Sequence, residues 1–363
     1  MKIGIDVSQI VYRTGVSRYT EELVKSLLKI DQENQYVFFG SSLRRRKELN
    51  SFIEKIKSKN TSSAIYPFPP SFLEFLLNRV RICDIQNFIG KVDVFHSSDW
   101  IQPKTSAKKV TTVHDLAFFK FPELFHPKIV AVQKRRLELV RTECDRIIAV
   151  SQNTKKDLVE ILKIPEDKIK VIYEAASDDF KLADKKEVEK IKNKFGIRKE
   201  YILTVATFGA RKNLPKLIEA YGLIKKEFDL NLVIAGSLET INRKDIIATG
   251  FLEDKGLISL YTGAKVFVYN SVYEGFGLPV LEAMACGVPV VCSATSSLPE
   301  VGGEAAVYVD PNSTKDIASG IKKTLQYSKP EYETIRKKSQ EQAKKFFWEK
   351  TATDTLKVYQ ELK

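Results

Sequence analysis

Cysteine is scarce in this chain: four residues in 363, at Cys83, Cys144, Cys286 and Cys292, with no Cys-x-x-Cys pair and two of them inside apolar runs. That usage excludes a disulfide framework and predicts reduced, packed thiols in a cytosolic protein. Histidine is scarcer, with His96, His114 and His126 too scattered for a dedicated zinc site. No Asp-x-Asp pair offers the usual acidic anchor for a divalent cation. No stretch of about 18 uninterrupted apolar residues is present, so no membrane span is expected. The N-terminus enters a strand-like run, Lys2 to Val7, without a charged and then apolar leader, so a cleaved secretory signal is not expected. No G-x-G-x-x-G follows that run, which disfavours a nicotinamide-dependent Rossmann enzyme. Internal short repeats and low-complexity tracts are also missing.

The composition, 43% apolar and 29% charged, is that of an ordinary globular protein, and the length favours two domains. The formal charge of +13 is uneven: residues 1–175 hold 30 Lys and Arg against 21 Asp and Glu, and the rest hold 29 against 25. An excess in one half suits an anionic partner such as lipid headgroups, nucleic acid or a phosphorylated acceptor; solubility is the other reading. Strand-like runs at 2–7, 36–40, 63–66, 92–96, 109–113 and 146–150 alternate with helical patterns at 17–29, 43–57, 71–82, 128–143 and 152–163. That alternation predicts parallel βαβ units. A second series starts after Gly196 with runs at 201–206, 230–235 and 265–269.

The most informative stretch is Tyr269 to Val291, YNSVYEGFGLPVLEAMACGVPVV, which reads as strand end, loop, helix, turn and strand. Gly275-Phe276-Gly277 lets backbone N–H groups approach an anion, and Pro279 suits a first helical turn. A helix N-terminus behind such a loop favours phosphate. Glu274 and Glu282 sit at the same place and would repel a bare phosphate. A ligand carrying both hydroxyls and phosphates resolves the conflict, and that describes a nucleotide sugar. A second constellation, Thr207-Phe208-Gly209-Ala210-Arg211-Lys212-Asn213-Leu214, joins a strand to a helix start through two adjacent cations. Cations are disfavoured at that end of a helix unless an anion joins them.

Glu274-x7-Glu282 with GFGLP and EAMACGVPVV resembles the donor-site signature of the retaining glycosyltransferases of family 4, and the resemblance spans nearly the whole chain. It implies an α/β protein of the GT-B fold, two Rossmann-like domains facing a central cleft. The acceptor domain would be 1–172, the nucleotide-sugar donor domain 173–345, and 346–363 a helix crossing back to the first domain. It implies Glu274 and His114 as catalytic residues, Glu274 toward the donor sugar or the reacting face. Donor binding would fall to Arg211, Lys212, Glu282, Thr207, Gly15, Val16 and the Gly275, Phe276, Gly277 and Leu278 backbone. Phe251 would contact the base or fill a core pocket, and Asp115 would orient the His114 ring or cap a turn; His96 reads as structural. No metal and no cofactor are expected, because Arg211 and Lys212 take the place of a divalent cation.

VHDLAFF and FFWEKTA look most like the mannosyl- and rhamnosyl-type branch that builds surface polysaccharides, which makes GDP-mannose the first expected donor and a glycan or lipid-linked glycan the acceptor. Expected partners include an anionic membrane surface, met by Arg44 to Lys47 or Lys134 to Arg136, and no nucleic acid. The expected location is cytoplasmic, at the inner face of the membrane. The aromatic segment Lys120 to Pro127 either lines an acceptor surface or packs under the next helix. The chain departs from the family in three places. Tyr173-Glu174-Ala175-Ala176 stands where Pro-Asn-Gly is common, Ala206 where Gly is common, and 237–249 is shorter. Rival readings are a GT-B epimerase or sugar phosphorylase and, from charge alone, a nucleic-acid-binding protein.

Overall fold

A computed structural model describes every residue except 13, 98, 207–209 and 237–242. The chain divides into two compact units, Met1–Glu174 with Trp348–Lys363, and Ala175–Phe347.

The first unit carries β1 (Lys2–Asp6), β2 (Gln35–Ser41), β3 (Thr61–Tyr66), β4 (Val94–Ser97), β5 (Lys108–Val113), β6 (Arg146–Ala149) and β7 (Ile169–Val171). All are parallel, in the order β3-β2-β1-β4-β5-β6-β7. Strand β2 is almost wholly buried, as expected where helices cover both faces of a parallel sheet. One apolar cluster packs Val37, Phe39, Leu73, Leu77 and Phe95, and another packs Val113, Leu137, Val140, Ile147 and Leu158. Chain order reverses between β1 and β4, so the loops leaving those strands lie at the topological switch point, where open sheets bind ligands.

The structure corrects the local reading in several places. The seventh strand, β7, is only three residues, Ile169-Lys170-Val171, too short for period-2 alternation to register. The helix expected at 71–82 is a short α-helix, Pro70–Glu74, running into a π-helical turn, Phe75–Val80, which ends at Arg81 with φ 57°. The helix expected from 43 starts at Arg46, because the Arg45 N–H is taken by the Ser42 hydroxyl at 3.1 Å. Helix Gly15–Ile30 is capped by Thr14, with Ser17 as its reciprocal partner: Ser17 N–H donates to Thr14 Oγ1 at 3.3 Å and Thr14 N–H to Ser17 Oγ at 3.1 Å. Helix Trp348–Gln360 belongs to the first unit, where Trp348 is buried with its ring edge-on to Tyr19 at 5.8 Å.

The second unit carries β8 (Glu200–Val205), β9 (Leu230–Ala235), β10 (Ile246–Gly250), β11 (Val266–Tyr269), β12 (Val290–Ser293) and β13 (Ala306–Val309), parallel and ordered β10-β9-β8-β11-β12-β13. Its switch point lies between β8 and β11. The loops leaving those two strands are the ones that hold Arg211, Lys212 and Glu274. Strand β10 occupies part of the shortened segment, a stretch with no expected element. Gly236 (φ 127°) allows a close approach here: a Cβ on it would stand 2.1 Å from Ala206 O. The glycine that this crossing needs is therefore at 236, and Ala206 is tolerated.

Candidate functional site

In the second unit, two loops meet on one carboxylate. Arg211 and Lys212 form a single 3-10 turn, Ala210–Lys212, just ahead of helix Leu214–Ile224, whose start is Asn213 in the left-handed region at φ 53°. The turn is tied to the loop after β11. Val272 N–H donates to Arg211 O at 2.9 Å, Asn270 Nδ2 to Asn213 O at 2.9 Å, and Asn213 Nδ2 to Pro311 O at 2.6 Å. Glu274 Oε1 then receives Lys212 Nζ at 2.7 Å and the Ser271 hydroxyl at 2.5 Å, while Oε2 lies 3.3 Å from Arg211 Nη1. Tyr269 completes the cluster. Its hydroxyl lies 3.1 Å from Glu274 Oε1 and bonds Lys212 Nζ, which stands over the ring 4.8 Å from its centroid.

Glu274 is buried, and an unpaired carboxylate there would cost several kcal/mol. Burial is the largest influence and pushes its pKa up. The charges of Lys212 and Arg211, with hydrogen bonds from Lys212 and Ser271, outweigh it and hold the carboxyl at about 2. The cluster thus carries two cations on one permanent anion.

The glycine loop is fixed from behind. Glu274 N–H donates to Ser296 Oγ at 3.0 Å, and the Ser297 hydroxyl sits between Glu274 O at 3.0 Å and Phe276 O at 2.7 Å. Gly277, at φ 111°, starts helix Leu278–Ala285, and a Cβ on it would stand 2.6 Å from Leu298. Phe276 packs edge-on against Phe346 at 5.8 Å, so its ring anchors the loop while the backbone of Gly275 to Leu278 forms the helix entrance. Glu282 is buried one turn along that helix, where its Oε2 accepts from the Tyr261 hydroxyl at 3.3 Å. Tyr269 lies near both carboxylates: burial first, then Glu274 and Glu282, raises its pKa well above the ordinary value. Phe251 is 60% exposed beyond the end of β10, which overturns its core-filling alternative and leaves an open ring. Thr207 lies outside the described residues.

In the first unit, Gly15 opens helix Gly15–Ile30, with Val16 beside it, beyond the end of β1. His114 follows β5, and its Nδ1 lies 2.9 Å from Glu174 Oε1 with the ring edge-on to Tyr19 at 4.8 Å. Asp115 does not orient this ring through Nδ1; its Oδ1 accepts from Ala117 N–H at 3.0 Å and caps the turn. Burial lowers the His114 pKa, but the hydrogen bond and charge of Glu174, with Asp99, reverse the sign and raise it. His96 is the opposite case. Its nitrogens bond the Tyr359 hydroxyl at 2.6 Å and Thr112 Oγ1 at 2.9 Å, and burial, then the charges of His114 and Arg136, pushes its pKa down to about 3. It is a neutral structural residue.

The basic run at 134–136 is not a surface patch. Arg136 is 1% exposed, and its Nη2 donates to Thr111 Oγ1 and Thr112 O, both at 3.1 Å. Lys134 stands over the Phe119 ring at 5.5 Å, and Arg135 pairs with Glu74 at 3.1 Å. In the aromatic segment, Phe119 packs on the core and Phe118 pairs with Phe125 at 4.5 Å. Sequence reasoning missed Ser271, Tyr269, Asn213, Asn270, Ser296 and Glu174. Only Glu174 had left a signal, as a departure from the common Pro-Asn-Gly turn.

Family models match both halves, "Glycosyltransferase Family 4" over residues 13–179 and "Glycosyl transferases group 1" over 185–345. The chain is 32% identical to O-antigen chain mannosyltransferase B of Escherichia coli over 99% of each chain. It is 35% identical to the serotype-specific mannosyltransferase WbdA of the same species over 57% of this chain and 28% of that one. Among solved structures, it is similar in fold to Anabaena Alr3699/HepE in complex with UDP and glucose (TM-score 0.76, 16% identity, covering 99% and 100%) and to a glycosyltransferase from Rickettsia africae ESF-5 (TM-score 0.72, 20% identity, covering 99% and 98%).

Proposed function

We propose, from the premise that this chain belongs to glycosyltransferase family 4, that it moves mannose from GDP-mannose to a glycan or lipid-linked glycan with retention of anomeric configuration. The observation that carries the reading is the Arg211–Lys212–Glu274 cluster at the switch point of the second sheet. The mannose assignment is supported by the names of the similar O-antigen enzymes.

In this reading the diphosphate lies on Arg211, Lys212 and the Gly275 to Leu278 backbone, with Glu282 toward the ribose. As the bond from the anomeric carbon to the phosphate oxygen lengthens, positive charge grows on the sugar and negative charge on the leaving phosphate. In this reading the two cations and the helix entrance stabilise that charge electrostatically. The acceptor oxygen bonds the same face of the carbon, and its proton passes to a leaving phosphate oxygen. Once the diphosphate takes over the cations, Glu274 is released toward the sugar, and His114 hydrogen-bonds the sugar. Metal is not required, because the cation role is filled by side chains.

The test is transfer from GDP-mannose, against UDP-, ADP- and dTDP-sugars, to a lipid-linked glycan, with and without EDTA. An α-linked product by NMR, unchanged by EDTA, is the expected result. Turnover abolished by EDTA and restored by magnesium overturns metal independence, and transfer from another nucleotide overturns GDP-mannose.

The partner reading includes an anionic membrane at the inner face of a cytoplasmic membrane. Among the described residues no helix is long and apolar enough to cross a bilayer. The segments after β2 and β3, joined by the Ser41 hydroxyl to Phe68 O at 2.9 Å, expose Leu43, Arg44, Arg46 and Lys47 on the first and Phe72 and Phe75 on the second. Exposed apolar side chains together with exposed cations suit insertion among anionic headgroups. Co-sedimentation with phosphatidylglycerol vesicles but not phosphatidylcholine vesicles, lost in Phe75→Glu, is the expected result; binding to neither vesicle removes the membrane from the reading.

A further inference from the structure

The His114 ring and the Glu174 carboxylate are sixty positions apart in sequence and 2.9 Å apart in space. The histidine leaves the carboxyl end of β5, and Glu174 comes just after β7, two strands along the sheet. Neither is loosely placed. Glu174 is 4% exposed, and the backbone beside it is pinned by Thr351 of the terminal helix, whose hydroxyl donates to Tyr173 O at 2.7 Å. Tyr19 closes against the ring from helix Gly15–Ile30. A buried carboxylate on Nδ1 fixes that nitrogen as the proton carrier and leaves Nε2 as the nitrogen for a substrate.

We infer that Glu174 is a positioning residue that holds His114 as an imidazolium, so that Nε2 presents a charged hydrogen-bond donor to the sugar of the donor substrate. This rests on the donor reading above. The groups within electrostatic reach of the ring agree in sum. Glu174 and Asp99 favour its protonation and Arg136 opposes it, while the neighbouring His96, its pKa pushed down to about 3, stays neutral and adds no charge. Tyr19, Asp6 and Thr112 line the same small cavity, and Tyr19, its pKa raised chiefly by burial, stays uncharged. The resulting direction, His114 raised above an ordinary histidine despite burial, agrees with the geometry. The Pro-Asn-Gly turn common at this position has no anion to offer.

The test separates the pair from the function. With three histidines in the chain, ¹⁵N-labelled imidazoles can be titrated without substrate in wild type, Glu174→Gln and Glu174→Ala, and His114 assigned by its loss in His114→Gln. In Glu174→Gln the side-chain oxygen still accepts from Nδ1 but the charge is gone. The His114 titration is expected to drop by roughly one pH unit or more. In parallel, the descending alkaline limb of kcat/KM should move down by the same amount, with kcat at pH 7.5 falling on the order of tenfold and KM changing less. Glu174→Asp is expected to restore most of the limb. An unmoved His114 titration in Glu174→Gln overturns the inference whether or not any donor is turned over. A moved titration with an unmoved kcat/KM profile overturns the catalytic use of the charge and leaves the transferase reading intact.

Discussion

Glu274→Gln separates the anion of the donor cluster from its shape. The amide fills the same space and removes the carboxylate charge that Lys212 and Arg211 share. The carboxyl is held at about 2 against an ordinary 4.5, so its favourable interaction with the cluster is worth about 3 kcal/mol. Lys212 and Arg211 are 17% and 23% exposed, so water screens part of the loss, and about 2 kcal/mol of stability should disappear. For a unit of this size that is a fall in Tm on the order of 4–8 °C. A lowered carboxyl pKa contributes stability above 4.5 that is lost as pH falls through about 2. The difference between variant and wild type should therefore be constant from pH 8 to pH 5.

GDP should then act unequally. In wild type the diphosphate competes with the carboxylate for the same cations; in the variant it replaces a missing charge. The GDP-induced rise in Tm is expected to be larger in Glu274→Gln than in wild type, while transfer falls by at least a hundredfold, the order seen when a charge-stabilising group is lost. Thermal shift at a series of GDP concentrations measures it. An equal or smaller rise in the variant refutes the idea that Arg211 and Lys212 hold the diphosphate.

Further outcomes follow from the same geometry. Arg211→Ala should lower kcat/KM by about 10²–10³, roughly 3–4 kcal/mol, with little change in far-UV circular dichroism. Phe251→Ala should weaken GDP binding by about 1–3 kcal/mol if the exposed ring stacks on guanine, and an unchanged Kd by calorimetry rejects the contact. Arg136→Ala should destabilise the first unit by about 3–5 kcal/mol in urea unfolding, because it removes a fully buried side chain whose donors serve the half-buried Asp99, Thr111 and Thr112. His96, with its folded pKa depressed to about 3, is protonated more readily in the unfolded chain between 6.5 and 3, so stability falls as pH drops through that window. His96→Asn should flatten the acid slope of Tm, and an unchanged slope contradicts the burial argument.

The parallel α/β architecture was legible because buried strands and amphipathic helices have distinct periods, and because Gly277, Pro279 and Gly236 punctuate turns that only such residues allow. The helix entrance at Gly275 to Leu278 could be read for the same reason: a phosphate site built on backbone N–H groups is a local object, written in consecutive residues. The cations at 211 and 212 stood out because their position in the chain is electrostatically costly without an anion.

What tertiary structure alone decided is the partnership of residues from different strands. Glu274 on the cations and Glu174 on His114 are set by sheet order, and Tyr359 on His96 by the docking of the terminal helix; each brings distant residues side by side and has no local signature. The same holds for charge burial. Arg136 looked like one of three surface cations, and it is enclosed because Thr111, Thr112 and Asp99, far off in sequence, satisfy its donors. Phe251 looked like core and is exposed. A run of residues sets which groups are available; whether an ionisable or aromatic group is inside, and in what protonation state, depends on the partners the fold carries to it, because burying a charge is tolerable only where those partners stand.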